Sequence, residues 1–274
     1  MKKILLLALG VTLFSLSSCF ELDNWKEPDC TWHGTVIDSY TNQPLLSSQN
    51  DWQIRIWERS WTGHEGGAVN HQELRIKQDG TYQNTKLFAG TYDMLPYNGP
   101  FWPVDTLKNL VLGKELKQDF TVTPYLQISN FNAELFKSNN KDSIKITFRV
   151  KAPLLVKDGR NLPRLYELRG FLSLTSYCGN GTDSSIGVAN YTQQPSGTVG
   201  INSGAGFLRM TLSNNNDNSW ATLIANGPGD NTTPDIFLSG EVKSGYTYYV
   251  RVGAAVDDTH RKFSYSPIVK VTVP

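Results

Sequence analysis

Short runs of alternating apolar and polar side chains, separated by clusters of turn-forming residues, fill this chain and restrict it to β structure. Trp52 to Trp57 (WQIRIW), Ser143 to Val150 (SIKITFRV), Tyr246 to Val252 (YTYYVRV) and Ser266 to Val273 (SPIVKVTV) each put one set of side chains on a core face and the other toward solvent. They are rich in Val, Ile, Thr, Tyr and Phe, the residues that suit a pleated surface. Between such runs stand clusters such as Asn214 to Asn218 and Asn226-Gly227-Pro228-Gly229-Asp230, which supply positive φ or side-chain turn bonds. Past the N-terminal segment no window of a dozen residues or more holds a helical period. Repeated short strands at this spacing predict an all-β protein of β-sandwiches.

The N-terminus reads differently. Lys2 and Lys3 precede an apolar run from Ile4 to Leu16, and Leu16-Ser17-Ser18-Cys19 has the form of a bacterial lipoprotein processing site. The run is too short to cross a bilayer as a helix, so residues 1–18 are expected to be a cleaved signal, with Cys19 as the lipidated first residue. Residues 19–27 then form a tether, and the protein is held to a membrane by its N-terminal lipid. The chain carries 26 basic and 25 acidic side chains. That balance exerts no long-range pull on nucleic acid, and no nucleic-acid partner is expected. Besides Cys19 only Cys30 and Cys178 remain; they fall in different predicted units and are expected to be buried free thiols.

A boundary is expected at Pro124. Before it, Gly80-Thr81-Tyr82 and Gly90-Thr91-Tyr92 repeat one unit ten residues apart, as when a strand, a turn and a returning strand each start on glycine. Together with Gly34-Thr35-Val36-Ile37-Asp38 and Thr41-Asn42-Gln43-Pro44, this order resembles the transthyretin-like, carboxypeptidase-regulatory type of sandwich, assigned to residues 28–124. The second unit, 125–274, ends in Val242-Lys243-Ser244-Gly245-Tyr246-Thr247-Tyr248, similar to the last strands of fibronectin type III and immunoglobulin-like sandwiches. There Tyr248 is expected to form a tyrosine corner. The stretch from Ser176 to Pro234, rich in Asn, Gly, Ser and Thr, reads as long polar loops. Each unit has its own strand series, and the two are expected to fold separately.

At finer grain the chain resembles a family of two-domain Bacteroidetes lipoproteins encoded in polysaccharide-utilisation loci. The resemblance rests on Ile54-Arg55-Ile56-Trp57-Glu58, on the run from Lys77 to Tyr92 (KQDGTYQNTKLFAGTY), and on Val122-Thr123-Pro124-Tyr125-Leu126. It implies an outer-membrane, cell-surface location and a part in glycan capture beside a starch-utilisation-type transporter and its lipoprotein partner. It transfers no binding residue.

Catalytic signals are sparse. No Gly-x-Ser-x-Gly elbow exists, and Gly200 to Gly206 lacks the Lys and Ser/Thr of a phosphate-binding loop. His64 and His71 flank Gly66-Gly67 with Glu65 and Glu73 alongside, but metal ligands are usually spaced more tightly. The chain is expected to be neither an enzyme nor dependent on a metal or cofactor.

Aromatic residues are more informative. A sugar ring presents a flat C–H face that stacks on indole or phenol and leaves its hydroxyls to amides and charged groups. Tyr97, Phe101 and Trp102, in the proline-bounded segment after Pro96, are expected to form an exposed platform, with Trp61 and Trp220 as further loop candidates. Trp52 and Trp57 lie on one strand and face opposite sides, so at least one is expected in the core. The function predicted is carbohydrate binding in glycan uptake; the alternative is a scaffold that docks other outer-membrane uptake proteins. A binder should show aromatics ringed by polar groups, and a scaffold a flatter apolar patch.

Overall fold

The computed structural model describes residues 27–60, 70–138, 140–180, 199–202, 207–211 and 219–274. The signal, Cys19, Trp61, His64 and most of the polar stretch between Ser176 and Asn218 lie outside the described residues.

The strands are β1 (Cys30–Asp38), β2 (Gln53–Glu58), β3 (Gln72–Arg75), β4 (Thr81–Leu87), β5 (Gly90–Tyr97), β6 (Leu107–Leu112), β7 (Glu115–Lys117) and β8 (Phe120–Val122). They form two sheets, β4-β1-β7 with β8 also on β1, and β3-β2-β5-β6. After Pro124 come β9 (Gln127–Ser138), β10 (Lys141–Lys151), β11 (Val156–Lys157), β12 (Arg160–Asn161), β13 (Leu165–Ser173), β14 (Val199–Asn202) and β15 (Phe207–Thr211). A short helix α1 (Trp220–Ile224) precedes β16 (Ile236–Glu241), β17 (Thr247–Val256), β18 (Phe263–Tyr265) and β19 (Val269–Thr272). These build a second pair of sheets, β16-β10-β9 and β14-β15-β13-β17-β18, with β19 also on β17 and β11-β12 as a separate hairpin. The protein is all-β, two β-sandwiches in tandem.

Alternation builds the first core. β1 buries Cys30, Trp32, Val36 and Asp38 on one face, and β2 buries Ile54 and Ile56. The Gly-Thr-Tyr repeat does not make a hairpin: β4 pairs with β1 and β5 with β2, so the chain crosses from one sheet to the other between them. Both tyrosines point into the space between the sheets. Tyr92 meets Trp32 edge-on at 5.5 Å, and the Tyr82 hydroxyl donates to the Gln118 carbonyl. Gly34 is required by close approach, because a Cβ there would lie 1.8 Å from the Gln118 oxygen. Gly80 has φ +81° in the turn before β4.

The second core gathers Ile144, Ile146, Phe148 and Val150 of β10 against Leu168 and Leu172 of β13 and Val250 and Val252 of β17. Tyr248, 1% exposed, accepts a hydrogen bond from the Lys243 amide at 3.1 Å, the upstream backbone contact of a tyrosine corner. Cys30 and Cys178 are buried and unbridged. Burial pushes the Cys178 thiol up to about 12.

The two sandwiches are locked together more firmly than separate folding implies. The backbone of residues 100–102 runs beside that of 123–125, with Trp102 N–H to the Thr123 carbonyl at 2.9 Å and Tyr125 N–H to the Pro100 carbonyl at 3.0 Å. Period-two alternation then sends adjacent rings opposite ways. Phe101 enters the first core, edge-on to Trp52 at 5.3 Å, while Trp102 enters the second, against Tyr125 at 5.3 Å.

A second lock is charged. The Arg251 guanidinium of β17, 1% exposed, donates to the carbonyls of Ser266, Cys178 and Ser47, the last across the junction at 2.7 Å. It lies 4.2 Å over the Tyr265 ring. Asp51 of the first unit takes contacts from Lys262 and from the Tyr265 hydroxyl at 3.3 Å. Burial lowers the Arg251 pKa to about 10 and raises that of Asp51, against the pull of Lys262.

Candidate functional site

The aromatic segment after Pro96 is not a platform. Phe101 is 5% and Trp102 2% exposed, because pairing with residues 123–125 turns each ring into a different core. Rings so enclosed have no face to offer a sugar. Trp220 is not a loop platform either. It begins α1, which Ser219 caps by accepting from the Thr222 amide, and its indole N–H donates to the Pro163 carbonyl at 2.8 Å, so the ring closes the end of the second core. Of the predicted residues that are described, Tyr97 alone keeps a ring at the surface, half-buried at the end of β5.

Tyr97 belongs to a different surface, the outer face of β3-β2-β5-β6. Since Ile54 and Ile56 of β2 point inward, Gln53, Arg55 and Trp57 must point outward. Cross-strand register sets Arg55 opposite Glu73 of β3 and Gln53 opposite Tyr97 of β5. The Arg55 guanidinium lies over the Tyr97 ring, its carbon 3.5 Å from the centroid. Glu73 accepts from the Gln53 side-chain amide and stands 3.8 Å from Arg55, 3.8 Å from Arg75 and 3.4 Å from His71. Trp57 is half-buried, its indole 6.0 Å from the His71 ring. His260 of the second sandwich also stands by Tyr97, its ring tilted and 6.0 Å away. The face therefore combines two aromatic rings with amide, carboxylate, guanidinium and imidazole groups.

Much of its donor capacity is unspent. Among the described residues none accepts a hydrogen bond from the Arg55 guanidinium, whose buried Nε–H is without a partner. Opposite Trp57 in register, Asp93 is already committed to Arg59 at 2.8 Å and to the Asn109 amide at 3.1 Å, which fixes that margin.

A cavity of about 180 Å3 opens where the sandwiches meet, walled by Leu45, Leu46, Leu126, Ile128 and Tyr265. Among the described residues the buried Ser264 hydroxyl on its wall has no hydrogen-bond partner, while its other polar groups are engaged. Asp38 accepts from the Tyr40 amide at 2.8 Å and from the Gln127 side chain at 2.6 Å, and the Thr41 hydroxyl accepts from the Gln43 amide at 3.3 Å. The cavity is a weaker candidate than the open face.

Sequence reasoning placed Trp57 on the right strand but gave it no role. The signal was present: the alternation that buries Ile54 and Ile56 puts Arg55 and Trp57 side by side on the other surface.

Residues 30–123 match the DUF3823 N-terminal domain, described as belonging to a protein of unknown function. The match spans β1 to β8 and so includes every sheet residue of the Trp57 face. Among solved structures, a DUF3823 family protein from Bacteroides uniformis is 21% identical with a TM-score of 0.64, covering 90% of this chain and 100% of its own. A second protein from Bacteroides uniformis, described as a "putative carbohydrate binding protein", is 23% identical with a TM-score of 0.60 over the same shares. A DUF3823 family protein from Parabacteroides merdae is 18% identical, with a TM-score of 0.58, 90% of this chain and 100% of that one. At these identities the likeness is one of fold. No curated protein matches the chain.

Proposed function

We propose that this protein is a non-catalytic carbohydrate-binding lipoprotein, tethered by a lipid on Cys19 to the outer membrane and serving glycan capture at the cell surface. One observation carries the reading: Trp57 and the Arg55–Tyr97 stack share an outward sheet face on which the guanidinium has no hydrogen-bond partner among the described residues. An indole flank for a C–H face, with charged and amide groups around it, is the pairing that sugar recognition needs. The description of one fold relative as a putative carbohydrate binding protein points the same way. The outer-membrane transporter and its lipoprotein partner are the machinery such a binder would serve. The test is affinity electrophoresis of a chain starting at residue 20, which retains every described strand, through gels containing different polysaccharides. At least one polymer retards the wild type, and Trp57→Ala abolishes the retardation. Retardation by none of a broad panel contradicts the proposal. Loss of fatty-acid labelling in a Cys19→Ala variant checks the anchor.

A further inference from the structure

We infer that the Trp57 face selects acidic sugars, with a uronic acid ring on the indole of Trp57 and its carboxylate on the guanidinium of Arg55. The inference rests on the carbohydrate-binding proposal and adds the ligand's charge and its orientation. Arg55 and Trp57 are two residues apart on one face of β2, so their Cα atoms are about 7 Å apart. A pyranose stacked on the indole brings a ring substituent, and not the ring itself, to the guanidinium.

Charge decides which substituent. One carboxylate, Glu73, is shared by Arg55, Arg75 and the Gln53 amide, with His71 at 3.4 Å, so among the described residues the guanidinium charge around Glu73 exceeds the carboxylate charge that balances it. The Arg55–Glu73 separation of 3.8 Å is an ion pair without a hydrogen bond. The guanidinium thus keeps its planar donor fork, held in place by the Tyr97 ring at 3.5 Å. A fork of this kind takes the two coplanar oxygens of a carboxylate bidentately, which a single hydroxyl cannot offer. Asp93, opposite Trp57 in register, is neutralised by Arg59 and repels an incoming acid little.

The experiment measures retardation of the chain from residue 20 in gels containing polygalacturonate, alginate, carboxyl-reduced polygalacturonate, dextran or dextran sulfate, at 150 mM salt. The wild type is expected to bind at least one of the two polyuronates at least tenfold more tightly than the carboxyl-reduced polymer and dextran. Arg55→Gln should lose that preference, and Arg55→Lys should lose most of it although the charge remains. Trp57→Ala should lose binding altogether, with the thermal midpoints of all variants unchanged. Equal binding to the polyuronates and their neutral counterparts, or preference untouched by Arg55→Gln, overturns the acidic selectivity and leaves carbohydrate binding standing. Stronger binding to dextran sulfate, which carries sulfates and no carboxylate, than to either polyuronate overturns the carboxylate assignment. Binding to no polymer at all overturns both, and polyuronate binding that survives Trp57→Ala reduces the effect to general charge attraction.

Discussion

Tyr248 shows how a single hydroxyl can anchor an assignment. Its oxygen accepts from the Lys243 amide at 3.1 Å inside a nearly dry environment, and burial raises its pKa. Replacing it by Phe removes the acceptor and leaves the Lys243 N–H without its partner, which costs on the order of 1–2 kcal/mol. Urea unfolding of Tyr248→Phe measures the loss; an unchanged midpoint would mean that the contact contributes nothing. Asp51 is the contrasting case, a carboxyl whose burial opposes its charge. Its folded-state pKa lies above the ordinary 3.8, so the folded protein holds this proton more tightly than the unfolded chain. Its contribution to stability is therefore fully present below about pH 3.8 and declines as pH rises through the raised value. Asp51→Asn removes that decline. Urea midpoints of wild type and variant between pH 3 and 7 should converge or diverge monotonically in that sense, the wild type losing ground to Asn with rising pH; a difference independent of pH would contradict it.

At the scale of elements, β1 organises the first sandwich because it pairs with three strands, antiparallel to β4 and parallel to β7 and β8. Gly34 sits where the link between β7 and β8 crosses it. Gly34→Ala would force the Gln118 backbone aside, and a destabilisation of about 1–3 kcal/mol is expected, measured by thermal or urea unfolding. A variant as stable as wild type would mean that the crossing is loose. Element content was legible in the sequence because period-two alternation and turn clusters report locally. Partners were not. The Gly-Thr-Tyr repeat located the starts of β4 and β5 but could not tell a hairpin from a crossing between sheets. Likewise Phe101 and Trp102 read as exposed because nothing nearby reveals that residues 123–125 lie beside them. The site was half legible: Tyr97 was named for the wrong neighbours, while Arg55 and Trp57 followed from the alternation of β2 once its inward face was fixed.

For the whole molecule, the central division is between aromatics that join the sandwiches and aromatics that face outward. Phe101, Trp102 and the Arg251–Tyr265 stack lie at or beside the junction, where two cores are held by one short pairing of backbone and by a buried guanidinium. The second sandwich they hold in place carries His260, 6.0 Å from the Tyr97 ring. On this account, truncating a joining ring costs stability and truncating an outward ring costs binding. The most direct measurement compares Trp57→Ala with Trp102→Ala in both properties, by urea unfolding and by retardation in gels of the polysaccharide that the wild type binds. Trp57→Ala should unfold within about 0.5 kcal/mol of wild type yet bind nothing. Trp102→Ala should lose about 3–5 kcal/mol and, where it is still folded, bind as wild type does. Retained binding in the first variant, or lost binding with intact stability in the second, would contradict the account.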